Sequence, residues 1–220
     1  EKGNSLVIMP TALGKTFVAI LVIAKLLEKN PLAKTLFLTP TKPLAVQQAK
    51  RMRELLDIDE KKVVVLTGEV APEKRAQQWS ELQIVCATPQ TVQSDLITRK
   101  LDLNDFTLIV FDEVHRATGD YSYSFLAKQA ISNPKLLLLG LTASPSSERE
   151  KIDEIIANLG IKHVVVRTDK DEDVIDFVNK TRLDWIFVEL PGEFKQIRKD
   201  FESILHDVLL ELKNAGFLEK

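Results

Sequence analysis

The sequence holds one cysteine, Cys86, in 220 residues. No internal disulfide can form, which excludes the disulfide-stapled secreted scaffolds. Glycine and proline are scarce, at 8 and 9 residues, too few for collagen or for a low-complexity linker chain. No apolar run reaches the length a membrane-spanning helix needs, and the start Glu1, Lys2, Gly3, Asn4 runs straight into a strand pattern instead of a signal peptide. An excess of one charge is also missing, since 30 Lys and Arg stand against 32 Asp and Glu, a net charge of -2. No global positive field marks a polyanion-binding surface, so any such binding must be local. These absences predict a cytoplasmic protein with no membrane partner.

What is present, at 45% hydrophobic residues, is distributed in a particular way. Short, β-branched, continuous apolar runs fall at 6–9, 35–38, 63–66, 84–87, 108–111, 136–139 and 164–166. Strands buried on both faces read like this, which predicts a mostly parallel sheet. Helical patterns lie between them at 14–29, 42–56, 72–79, 89–99, 122–132 and 146–158, the spacing of repeated strand–helix units with helices on both faces. Cys86 falls inside a strand, Trp79 and Trp185 read as packing residues, and His163 and His206 lack metal-ligand spacing. Past Thr168 an acidic run at 169–173 reads as a solvated turn, and 185–190 as one further strand. From Pro191 onward Phe194, Ile197, Phe201, Ile204, Leu205, Val208 and Leu212 repeat every 3.6 residues, predicting one long amphipathic helix whose apolar stripe needs a partner.

Three segments carry chemistry. Pro10, Thr11, Ala12, Leu13, Gly14, Lys15 and Thr16 follow the first strand and open the first helix. A helix N-terminus with a glycine beside it cradles an anion, Lys15 can reach the β and γ phosphates of a nucleotide, and Thr16 can offer its hydroxyl to Mg²⁺. The second segment ends a strand in paired carboxylates, Asp112 and Glu113, followed by Val114 and His115. Asp112 suits Mg²⁺, and Glu113 suits a group that orients and deprotonates an attacking water. The third, Thr142 and Ser144 after another strand, places two small hydroxyls where they can bond to the Asp112–His115 segment. Ligands of open α/β sheets bind at the carboxyl ends of the strands, where all three segments fall.

Together these motifs resemble motifs I, II and III of superfamily 2 helicases of the DExH type. Thr39, Thr41 and Lys42 look like motif Ia, Thr67 and Gly68 like the following threonine-glycine contact, and Thr88 and Gln90 like motif Ib. The wording is most similar to the archaeal Hef and Fanconi anaemia M helicase branch, with Ala12 in place of a usual glycine and Val114 in place of the commoner alanine. The resemblance implies a RecA-like phosphate-loop NTPase domain followed by a C-terminal helical segment. Residues 1–190 would be the first motor domain, with its leader missing, and 191–220 the start of a helical insertion or linker to an absent second motor domain. It implies ATP and Mg²⁺ as cofactors, with Lys15, Asp112 and Glu113 catalytic, and His115, Thr142 and Ser144 coupling nucleotide to nucleic acid. Thr39, Thr41, Lys42, Thr67, Gly68, Thr88 and Gln90 would contact the nucleic acid. The partner would be forked or branched DNA, and an archaeal protein would associate with the nucleoid. The alternatives are an RNA helicase or double-stranded RNA-dependent ATPase, and a nucleotide-binding domain without motor activity. Residues 1–220 alone are expected to hydrolyse almost no ATP, because the arginines of the second domain are not among them.

Overall fold

The computed structural model describes residues 3–10, 13–118, 121–143, 149–172, 174–175 and 184–217. The chain divides into two compact units, Glu1–Val178 and Asn179–Lys220. In the first, strands β1 (Ser5–Ile8), β2 (Thr35–Leu38), β3 (Val63–Leu66), β4 (Ile84–Ala87), β5 (Leu108–Asp112), β6 (Leu137–Thr142) and β7 (His163–Val166) alternate with helices. The helices are α1 (Lys15–Lys29), α2 (Lys42–Leu55), α3 (Pro72–Glu81), α4 (Pro89–Ile97), α5 (Tyr121–Ile131) and α6 (Arg149–Leu159). Every strand pair is parallel, in the order β3-β4-β2-β5-β6-β1-β7.

The continuous apolar runs of the central strands are explained by burial on both faces, whereas β7, at the sheet edge, leaves Val164, Val165 and Val166 exposed. β2, β4 and β5 are buried at every residue, and successive side chains enter opposite cores. Ile109 and Phe111 of β5 join Leu36, Leu38, Val85 and Leu138 in one core, with Trp79, Val92 and Leu126 from helices α3 to α5. Leu108 and Val110 join Phe37, Ile84 and Cys86 in the other, with Ile23 of α1 and Met52 of α2. Burial pushes the Cys86 thiol up to about 12, so it packs as an uncharged core residue.

Further expectations change. β6 runs on to Thr142 instead of stopping near residue 139, because Leu141 and Thr142 keep their register with β5 and β1. The strand expected at 185–190 does not form. A strand requires a ladder for its backbone groups, and Trp185 and Phe187 are 79% and 93% exposed, so Trp185 is not a packing residue either. In the second unit α7 (Gly192–Asn214) forms as the periodicity predicts, with no buried residue. It stops at Gly216, whose φ is 78°. There the N–H of Phe217 donates to the Leu212 carbonyl and that of Gly216 to Lys213, a paired closure that suits a glycine in the left-handed region. Among the described residues, no helix is long and apolar enough to cross a membrane.

Candidate active site

Parallel pairing puts the carboxyl ends of all seven strands on one edge, where register aligns Ile8 with Thr142, Asp112 with Leu141, and Leu38 with both Phe111 and Ala87. The sequence motifs divide along that edge. Residues that follow β1, that end β5 and that lie on α2 form a cleft of about 400 Å³, and the loops directly after β2, β4 and β3 continue along the same edge.

One wall of the cleft is Gly14, Lys15 and Thr16. Gly14 precedes α1 with φ 85° and ψ 26°, a conformation in which a Cβ is strained. No side chain caps α1, and its first turn carries no acidic residue. Its leading N–H groups, which have no partner within the helix, therefore remain available to an anion. The Lys15 ammonium folds back and donates to the carbonyls of Met9 and Pro10 at 3.1 and 3.3 Å. Burial lowers its pKa, against the opposing pull of Glu113 and Asp112. Thr11 and Ala12 lie outside the described residues, as does Ser144.

The floor is Asp112 and Glu113. Asp112 is 6% exposed, and burial, reinforced by the Glu113 charge, pushes its carboxyl up to about 6. The Glu113 N–H at 3.1 Å, Lys15 and the Gln48 side chain act in the opposite sense. The Tyr123 hydroxyl donates to the Asp112 carbonyl at 2.7 Å and fixes the strand end. Glu113 has φ 52°, a left-handed conformation that costs a residue of this type about 1–2 kcal/mol. That turn brings its carboxylate 3.4 Å from His115 Nδ1, which lies 3.2 Å from Thr142 Oγ1. Gly140 beneath is closely packed: a Cβ would come within 3.2 Å of both Leu6 and Val114, which would have to give by a few tenths of an ångström.

The third wall was not read from the sequence. Leu44, Gln48 and Arg51 of α2 face the cleft, at the i, i+4, i+7 spacing that puts them on one helix face. Gln48 also belongs to the buried set Ala45, Gln48, Ala49 and Met52, so a polar residue in an otherwise apolar stripe was the available signal. The basic side chains of α2 have separate fates. Arg53 donates to the Val63 carbonyl through Nε and a terminal nitrogen, Lys50 lies 3.9 Å from Glu54, and Arg51 reaches the cleft.

The cleft's chemistry fits Mg²⁺ and phosphate. Among the described residues no group of three or more His, Cys, Asp or Glu side chains could hold a metal ion, so these residues offer no all-protein cage. One buried carboxylate, the Thr16 hydroxyl and a phosphate cradle form the donor set expected for Mg²⁺ held largely by substrate oxygens and water. A larger cleft of about 560 Å³ opens at the opposite edge, rimmed by Glu28, Asp57 and Asp59 against Lys62; its acidic excess disfavours a polyphosphate.

Beside the cleft, Thr39 is buried and its hydroxyl donates to the Thr41 carbonyl at 3.1 Å. Thr41, Gly68 and Gln90 are exposed. Lys42 is also exposed and pairs with Glu69. Thr67 is buried, and Thr88 Oγ1 lies 2.9 Å from Thr91 Oγ1. Beneath these loops Arg75 of α3 binds both oxygens of Asp95 in α4 at 2.7 and 2.6 Å, and Trp79 Nε1 donates to the same carboxylate at 3.0 Å. Arg75 also donates to the Val70 carbonyl, which ties down the turn after Thr67 and Gly68.

Asp112 has a measurable consequence for the metal-free protein. Its carboxyl is raised from 3.8 to about 6, so stability is fully present below 3.8 and lost as the pH rises through 6. The ionised cost above that is about 3 kcal/mol at most. Asp112→Asn should therefore resist urea better than wild type at about pH 7 without Mg²⁺, and the difference should close below about pH 4. An equal difference at both pH values would contradict the burial argument.

The sequence pattern of DEAD/DEAH box helicases matches residues 1–152. The crystal structure of the Pyrococcus furiosus Hef helicase domain superposes with a TM-score of 0.77 at 42% identity, covering 99% of this chain and 46% of that one. A candidate ATP-dependent RNA helicase of Methanocaldococcus jannaschii is 43% identical over 99% of this chain, which spans 28% of that protein. The ATP-dependent DNA helicase mph1 of Neurospora crassa is 35% identical over 97% of this chain, which spans 18% of it. The chain thus spans less than a third of each of these two curated relatives.

Proposed function

We propose an ATP-dependent DNA motor: the chain belongs to the DEAD/DEAH box helicase family, among Hef-type helicases, and its parallel sheet is the RecA-like fold of their motor domains. The observation that carries the proposal is the convergence of Lys15, Thr16, Asp112 and Glu113 on one cleft, beside the loops after β2, β4 and β3. ATP phosphates lie on the N–H groups opening α1, with Lys15 turned from the loop carbonyls toward the β and γ oxygens. Thr16 and Asp112 hold Mg²⁺, which neutralises charge on the phosphate oxygens. Glu113 orients the attacking water and takes its proton. His115, between Glu113 and Thr142, couples this site to the nucleic acid, with Ser144 in the same role.

The nucleic acid runs over Thr39, Thr41, Lys42, Thr67, Gly68, Thr88 and Gln90, contacting phosphate and sugar without reading bases, as a motor that crosses any sequence requires. A second RecA-like domain supplies the arginines that complete the site. The amphipathic α7 begins a helical insertion that grips forked DNA, and the setting is cytoplasmic.

Two measurements test the proposal. Calorimetric titration of the chain with Mg-ATP should show Lys15→Ala binding about 10- to 100-fold more weakly, the worth of one or two charge-assisted hydrogen bonds; unchanged affinity would remove the phosphate site. In the full-length protein, ATP turnover should rise more with forked DNA than with single strands or double-stranded RNA. The reverse order would favour the RNA-dependent reading.

A further inference from the structure

Three buried side-chain oxygens among the described residues lack a hydrogen-bond partner: those of Thr35, Gln48 and Gln78. Gln48 is the one that lines the candidate active site. The residue is 5% exposed, and its neighbours on the buried stripe of α2 are Ala45, Ala49 and Met52. Packing alone would favour an apolar residue there, because a buried acceptor left unpaired is unfavourable and an apolar replacement of the same shape is not. An amide in this place therefore calls for a donor that the protein does not provide.

Its surroundings identify that donor. Gln48 shares the cleft with Thr16 and Asp112, and its side chain stands within hydrogen-bonding reach of the Asp112 carboxylate. A carboxylate that meets Mg²⁺ in a phosphate site does so in company with metal-bound waters, whose protons point outward to nearby acceptors. A glutamine can serve both parties at once, since its NH₂ donates and its carbonyl accepts.

We infer that Gln48 is a positioning residue for the metal: its NH₂ steadies the Asp112 carboxylate while its unpaired Oε1 accepts a hydrogen bond from water bound to Mg²⁺. The inference rests on the Mg-nucleotide reading of the cleft and adds to it a contact from α2, the helix that begins at Lys42 beside the nucleic-acid loops. Partners of this kind around a metal are worth about 10- to 100-fold in metal affinity.

The test uses a fluorescent ADP titrated into the chain across a range of Mg²⁺ concentrations and again in EDTA, with melting curves alongside. Gln48→Met should raise the Mg²⁺ concentration giving half of the metal's effect on nucleotide affinity by about 10-fold or more. Affinity in EDTA should stay at the wild-type value, and the metal-free melting temperature should not fall, because the unpaired oxygen is gone. An unchanged Mg²⁺ requirement overturns the inference, as does a variant that weakens binding equally with and without Mg²⁺. If neither Gln48→Met nor Gln48→Leu folds, the amide supports the core and not the metal, and the inference fails. Lys15→Ala separates the two levels. If it leaves nucleotide binding intact, the phosphate site itself is misplaced; if it removes binding while Gln48→Met keeps the wild-type Mg²⁺ requirement, only the role of Gln48 is lost.

Discussion

Glu113→Gln in the full-length protein is expected to lower nucleic-acid-stimulated ATP turnover by about 10²- to 10⁴-fold, the usual worth of a positioned general base. Nucleotide affinity should be preserved, since the substitution keeps the shape of the side chain and removes only its ability to accept a proton. The geometry gives the reason. A strand could end on Asp112 without forcing the next residue into a left-handed conformation, yet Glu113 adopts φ 52° and places its carboxylate in the cleft opposite Lys15. Such strain persists where the surroundings over-determine it. Here the Asp112 carbonyl is fixed by Tyr123 and the Asp112 carboxylate by the Glu113 N–H. Phosphate release under steady state, paired with a nucleotide titration, checks both halves of the expectation. Retained turnover would move the base elsewhere. Wild-type residues 1–220 alone should turn over below about 1 s⁻¹, the low end of ordinary enzyme rates.

The parts of this site that were legible in the sequence are those whose meaning is local. Gly14, Lys15 and Thr16 follow closely on β1 and open α1, and the φ of 85° at Gly14 is a conformation that glycine adopts without strain. Asp112 and Glu113 were readable because a continuous apolar run ended on them, and the two-faced burial of β5 is what such a run means. The strand at 185–190 was misread for a complementary reason. A short apolar run records only that residues are hydrophobic, whereas a strand exists through a neighbour's hydrogen bonds. Gln48 was missed because its meaning depends on α2 meeting the end of β5, some 60 residues away in sequence, and no local pattern encodes that meeting. The charges on α2 show the same limit. Lys50, Arg51 and Arg53 look alike as a basic cluster, but Arg53 is used up on the Val63 carbonyl while Arg51 faces the cleft.

The second large effect concerns the buried pair beneath the loops proposed to contact nucleic acid. The side chains of Arg75 and Asp95 are only 4% and 1% exposed, and the hydrogen bonds that Arg75 donates to Asp95 raise the guanidinium above its ordinary value. Removing one partner leaves the other charge buried and unpaired, so Arg75→Met is expected to cost about 3–5 kcal/mol. For a chain of this size that lowers the melting temperature by roughly 10 °C. Replacing both, Arg75→Met with Asp95→Leu, should recover part of the loss, because a buried ion pair exchanged for apolar residues of similar volume is often neutral while the Trp79 Nε1–H loses its acceptor. The pair nevertheless does something the apolar version cannot. Arg75 also holds the Val70 carbonyl, and Lys42 pairs with Glu69 in the same turn, so the turn carrying Thr67 and Gly68 is tied to both α4 and the start of α2. The double variant should therefore melt above Arg75→Met and bind Mg-ATP as wild type does, yet hold forked DNA more weakly. Thermal melts, calorimetry with Mg-ATP and a DNA-binding titration on the same three proteins decide it. If the double variant regains stability and binds DNA as tightly as wild type, the clasp is a packing device alone and the turn after β3 needs no anchor to grip phosphate.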